Sequence, residues 1–244
     1  NLRREGVETR YVGCDDDVAT GSAFIALAPD GQNSILSVGG ANLEVAPRFV
    51  NDAAPVIAQA DMCLVQFAVP MPSVELFVKI AVERGVPVLM DPTPAMGTLP
   101  ANWHQATILT PNETEAEYVV GYECPDHATA ARAAREIHAR GVKIAIVKRG
   151  PDGALVCDDE GCRLVSGFKV EVVDTTGAGD AFAAGLGVAL AEGLAVNEAI
   201  AFANACGALA CTRFGAQPSL PRRHEVERFL AEHGGVAGVS VTEM

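Results

Sequence analysis

The sequence predicts an α/β protein: a three-layer α/β/α sandwich with a mainly parallel central sheet and a small β lid. Three observations carry this. Apolar runs such as MCLVQFAV (62–69), VPVLMD (86–91) and KIAIVK (143–148) read as buried strands, with helical patterns between them. A Gly-rich turn joins strand to helix in VVDTTGAGDAF (172–182). A hairpin pattern at 20–38 breaks the alternation and reads as an appendage.

The elements follow in order. NLRREGVETRYV (1–12) reads as the last turn of a helix, a stop at Gly6, and a strand. A helix rarely begins a domain at its own C-terminus, so further sequence is expected upstream of Asn1. In TGSAFIALAPDGQNSILSV (20–38), two β-rich runs flank the turn Pro29-Asp30-Gly31. After the strand at 62–69, Ser73 is the expected helix cap. Val74, Phe77, Val78, Ala81 and Val82 then share one helical face, and Gly85 ends the helix. The strand at 86–91 runs into a connection through Pro92, Pro94 and Pro100. TILT (107–110) is a strand that leads into PNETEAE (111–117), a loop and short helix. A helix is expected over 127–140 and a second hairpin over GALVCDDEGCRLV (153–165). FKVEVVD (168–174) reads as a strand running into a helix that starts near Ala178. Two more helices are expected at 197–212 and 223–232. No linker or repeat divides the chain, so residues 1–244 read as one domain.

Composition narrows the function. Of 244 residues, 49% are hydrophobic, enough for one large core. The net charge of −13, from 18 basic and 31 acidic residues, disfavours nucleic acid and anionic membranes as partners. An anionic ligand would then need positive potential built locally. The seven cysteines form no C-x-x-C pair, which argues against a zinc site or a disulfide framework. Cys63 and Cys206 read as core residues, and a reducing, cytoplasmic setting is expected. No apolar run approaches a membrane span. The five histidines show no ligand or triad spacing.

The chemistry concentrates at 174–180. Backbone N–H groups of Gly177, Ala178 and Gly179 at a helix start form an anion site that needs no Lys or Arg. Asp180, in the first turn of that helix, is placed to take a proton from an attacking hydroxyl. The plainer alternative is an ordinary strand–turn–helix connection. The turn is not G-x-G-x-x-G, and no Walker-type G-x-x-x-x-G-K-[ST] occurs.

DTTGAGDAF (174–182) resembles the C-terminal signature of the ribokinase-like, or PfkB, carbohydrate kinases. TPNETEAE (110–117) resembles that family's N-x-x-E segment, and VKRGPDGALV (147–156) its strand–Gly phosphate loop. TRFGAQPSLP (212–221), DGQNSI (30–35) and Gly40-Ala41-Asn42 resemble the ribokinase branch in particular. The resemblance implies an ATP-dependent kinase acting with Mg²⁺ on a small sugar, ribose being the best single guess. Asp180 would be the base, with Gly177, Ala178 and Gly179 as the anion hole. Glu115 would hold magnesium through a water, and Asn112 would lie near the phosphates. The plainer reading of these two is a capped helix start. Gly150 would lie close to the nucleotide. Lys148 stands where many ribokinases have Thr, and would reach a phosphate or only extend from a strand end. Asn204 would contact adenine or simply face solvent. Asp174, Thr176, Ala210, Gly215 and Ser219 match positions that hold a monovalent cation, K⁺. The family's N-terminal portion would precede Asn1, and 20–38 would be the lid. Because the lid pairs subunits in some relatives, a homodimer is among the assemblies allowed. Ala68 departs from the branch, which has a ribose-contacting Glu there. A nucleoside kinase, a kinase for a ketohexose or deoxy sugar, and a non-catalytic sugar or nucleotide sensor are the rival readings.

Overall fold

A computed structural model of the chain describes residues 1–27 and 33–244. Its centre is a seven-stranded sheet in which strand order follows chain order. Four strands run parallel: β3 (Cys63–Val65), β4 (Val88–Met90), β5 (Ile108–Leu109) and β6 (Ile144–Lys148). β7 (Gly153–Asp158), β8 (Gly161–Ser166) and β9 (Val241–Glu243) continue the sheet antiparallel. A separate pair, β1 (Ser22–Leu27) and β2 (Asn33–Val38), forms the expected hairpin, with Phe24 opposite Leu36 and Ile25 opposite Ile35. The turn read at Pro29-Asp30-Gly31 lies outside the described residues.

The strands explain the three layers. Successive side chains in a strand point to opposite faces. Val88, Met90, Leu109, Ala145, Val147 and Leu155 pack on one face, against α1 (Pro47–Ile57), α2 (Met71–Glu83), α3 (Glu113–Val120) and α4 (His127–Ala139). Their neighbours Leu89, Ile108, Ile146, Ala154 and Val156 pack on the other, against α5 (Ala178–Ala191) and α6 (Val196–Cys211). The short α7 (Ala216–Ser219) follows, and α8 (Arg223–Glu232) packs Val226 and Leu230 against α5 and α6. Burying both faces is what lets these strands be apolar throughout.

Four local expectations are corrected. Residues 7–12 form no strand. Ser73 does not cap α2: Pro70 holds that position, and the Ser73 hydroxyl donates to the Val45 carbonyl at 2.5 Å. Residues 168–174 form no strand; the N–H groups of Val173 and Asp174 donate instead to the Cys211 carbonyl, at 2.8 and 3.3 Å. Cys157 and Cys162 are direct cross-strand partners in the β7–β8 hairpin and are joined as a disulfide, so these two are not free thiols. Cys63 and Cys206 are buried thiols, as read.

A glycine lets α5 and α6 approach closely. A Cβ on Gly185 of α5 would lie 2.7 Å from Cys206 Sγ and 3.4 Å from Ala203 Cα on α6. Gly185→Ala is expected to lower stability by about 1–3 kcal/mol through overpacking. Urea unfolding measures this, and adding Cys206→Ala should recover part of the loss. A Gly185→Ala variant as stable as wild type would show that α5 and α6 separate freely.

Candidate active site

The carboxyl ends of the parallel strands and the start of α5 meet at one edge of the sheet, where open α/β folds bind ligands. Asp174 shapes the turn. Its carboxylate accepts from the N–H of Thr176 and from that of Gly215, both at 2.9 Å. A hydrogen bond from the Thr176 side chain, then those from the Gly215 and Thr176 backbones, hold its pKa below the usual carboxylate range. Gly177 caps α5 at φ 82°, a left-handed conformation that costs other residues about 1–2 kcal/mol. The Ala178 N–H turns back to the Thr175 carbonyl at 3.2 Å, so the donors facing outward come from the rest of the first turn.

Asp180 lies in that first turn and is exposed. Its Oδ1 accepts from Gln66 Nε2 at 2.9 Å. Gln66 sits one residue past the end of β3, so the sheet fixes one carboxylate oxygen from below.

Beside it is a buried ionic cluster. Lys148, the last residue of β6, donates from Nζ to Asp91 Oδ2 at 2.8 Å and lies 3.7 Å from Glu115 Oε2. Asp91 immediately follows β4 and is 3% exposed; Glu115 is 6% exposed. Burial is the main cause pushing the Asp91 pKa up to about 6. Lys148 opposes the rise, while Glu115 and Asp180 add to it. Asp91 Oδ1 is buried and has no hydrogen-bond partner among the described residues. A Cβ on Gly179 would lie 3.6 Å from Lys148 Nζ, so the ammonium also reaches the start of α5.

Asn112 and Glu115 form a full capping box on α3: the Asn112 side chain accepts from the Glu115 N–H, and the Glu115 side chain from the Asn112 N–H, each at 2.8 Å. The plainer reading of this pair is therefore realised, and it leaves Glu115 facing Lys148 as well. A parallel bridge from Asn112 to Lys148 ties the cap to the end of β6.

The remaining residues divide. Gly150 has φ 54° and opens the turn after β6, with no atom within 4 Å of where a Cβ would lie. Asp174, Thr176 and Gly215 are brought together by hydrogen bonds. Ser219 ends the short helix after Gly215, and its hydroxyl donates to the Ala216 carbonyl at 2.7 Å. Ala210 is buried next to Cys211, whose carbonyl holds Val173 and Asp174. Asn204 does not face solvent. It is 8% exposed, and its amide donates to the Val165 and Ser166 carbonyls, each at 3.2 Å, pinning the end of β8. Ala68 is exposed, two residues beyond Gln66.

Two site residues, Gln66 and Asp91, escaped the sequence reading. The signal was available: each is a polar residue at the carboxyl end of a parallel strand.

Residues 1–223 match the family described as pfkB family carbohydrate kinase. The chain belongs to the pfkB family. It is 38% identical over 230 residues to the ribokinase of Haemophilus influenzae, spanning 94% of this chain and 75% of that protein. Against the ribokinase of Bacillus subtilis it is 36% identical over 231 residues, spanning 95% and 75%. The solved structure of Arabidopsis thaliana ribokinase complexed with ribose and ATP superposes with a TM-score of 0.83 at 35% identity, over 91% of this chain and 73% of that one. The three-layer fold expected from the resemblance to this pfkB family is thus the fold found.

Proposed function

We propose that the chain is an ATP-dependent sugar kinase that transfers the γ-phosphoryl group of ATP to a hydroxyl of a small sugar, with ribose the best single substrate. One observation carries the reading: Asp180, held through one oxygen by Gln66, stands in the first turn of α5 with the Lys148 ammonium close by. A base beside an anion-binding helix start is what hydroxyl phosphorylation requires. The ribokinase relatives, one of them solved with ribose and ATP, support this choice of substrates.

The chemistry follows. The sugar hydroxyl oxygen forms a bond to the γ-phosphorus, the bond from that phosphorus to the β,γ-bridging oxygen breaks, and ADP leaves. Asp180 takes the hydroxyl proton on the oxygen that Gln66 leaves open. First-turn N–H groups, those of Gly177 and Gly179 rather than the Ala178 N–H that bonds Thr175, would hold the charge that develops on the transferred group. Lys148, Asn112 and Gly150 border the nucleotide phosphates. Asp91 and Glu115 suit magnesium: both are hard carboxylate donors, and the partnerless Asp91 Oδ1 is a buried acceptor in want of a cation or its water. These residues would hold Mg²⁺, which when bound neutralises phosphate charge. Asp174, Thr176 and Ser219, with carbonyls at Ala210 and Gly215, would be the oxygen donors for K⁺. Asn204 supports the nucleotide side through β8.

Asp180→Asn preserves shape and the Gln66 contact but removes the proton acceptor. A kcat loss of roughly 10²–10⁴-fold is expected with nucleotide affinity little changed. Steady-state kinetics and ADP titration measure both, and near-wild-type kcat would refute Asp180 as the base.

If the Asp174 donor set binds K⁺, activity at fixed ionic strength should be higher in K⁺ than in Na⁺. Equal rates in the two salts would remove that site and leave the kinase reading intact.

Ala68 bears on the sugar. Without a carboxylate there, ribose loses a charge-assisted hydrogen bond, a cost of roughly tenfold to a hundredfold in affinity. Ala68→Glu is expected to raise kcat/KM for ribose by about that factor, read as ADP release across a panel of ribose, deoxyribose, ketohexoses and nucleosides. No gain for ribose, together with a stronger response to another member of the panel, would reassign the substrate.

A further inference from the structure

We propose that the Lys148 ammonium is a built-in placeholder for the divalent cation: it occupies the charge position between Asp91 and Glu115 and yields it when the metal binds. The proposal deepens the kinase reading and rests on it. Nζ lies 2.8 Å from Asp91 Oδ2 and 3.7 Å from Glu115 Oε2, bridging two carboxylates that are each more than nine-tenths buried. Two such carboxylates without a cation would repel one another in a poorly solvated site, and removing the partner of a buried charge is strongly destabilising. One ammonium leaves this pair one negative charge in excess. A divalent ion would neutralise it fully.

The second observation points to a ligand independently. Asp91 Oδ1 is buried and has no hydrogen-bond partner among the described residues, although buried polar atoms are rarely left so. Lys148 satisfies only one oxygen of Asp91. The acceptor left over is on the residue that the ammonium already neutralises in part, which is the arrangement of a site holding less positive charge than it can take.

The displaced ammonium has somewhere to go. It already lies 3.6 Å from where a Cβ on Gly179 would be, and glycine leaves that space open. A lysine has the rotatable stem to turn from carboxylate to phosphate without moving the backbone. Lys148 thus pairs with Asp91 before the metal arrives and with the nucleotide phosphates after it. The carboxylate pair thus has a cation beside it in both states, with its charge compensated in part by the ammonium and in full by the metal.

The test uses Mn²⁺ alone, with neither nucleotide nor sugar, and reads bound metal by the loss of the free-ion EPR signal. Lys148→Met should bind Mn²⁺ at least about tenfold more tightly than wild type, the factor set by removing a competing charge-assisted bond. Asp91→Asn in the Lys148→Met background should abolish the gain. A folded Lys148→Met protein whose Mn²⁺ affinity is unchanged or weaker overturns the proposal. Folding is checked by circular dichroism. Should Lys148→Met not fold, the wild-type protein decides: Mg²⁺ alone should increase acetylation of Lys148 several-fold by mass spectrometry, and no increase overturns the idea. Sugar-dependent ADP release is measured separately, so a failure of the kinase reading and a failure of the placeholder are told apart.

Discussion

The ion pair between Lys148 and Asp91 is the contact on which this edge of the sheet depends. Asp91 follows β4, Lys148 ends β6, and Glu115 belongs to the cap of α3. Three separate stretches of chain therefore place charge in one poorly solvated space. A carboxylate there costs several kcal/mol to desolvate, and a second carboxylate nearby raises the cost further. The ammonium at 2.8 Å makes the arrangement tenable.

The other half of the site is organised without charge pairing. Asp174 uses its carboxylate as a template for backbone, accepting N–H groups from its own turn and from Gly215. That one side chain joins the start of α5 to the loop between α6 and α7. Gly177 then lets the chain reverse into α5, and Asp180 emerges one turn later, steadied by Gln66 from the end of β3. The two halves of the site are thus positioned by opposite means: main-chain geometry around Asp174, Gly177 and Asp180, and a buried ionic contact around Asp91 and Lys148.

Local physics made part of this legible in the sequence. The Gly turn and Asp180 were found because φ > 0 and a helix start leave marks in a few adjacent residues. The Asn112–Glu115 box was visible for the same reason. α8 runs over Arg223–Glu232, the span expected from the sequence. The misreadings were of contacts made at a distance. Residues 168–174 carry the apolar pattern of a strand, but a strand also needs a neighbour, and this stretch meets the end of α6 instead. Ser73 looked like a cap until Val45 arrived from another segment. Asn204 was read as facing a ligand or water, whereas the packing of α6 on β8 buried its amide. Cys157 and Cys162 were close in sequence, yet only the hairpin register made them partners. Gln66 and Asp91 each lacked a motif; their meaning came from the order of parallel strands.

The reliance on peptide dipoles and one enclosed ammonium has a consequence for what approaches. Seen from a distance, the molecule is a polyanion with a net charge of −13. Incoming phosphates meet repulsion only once they come within about a Debye length, roughly 8 Å in physiological salt. That barrier grows with the charge of the visitor, so bare nucleotide is turned away more than nucleotide already carrying its cation. The acidic envelope thereby acts as a filter on the ionic form of the donor before any side chain of the pocket touches it.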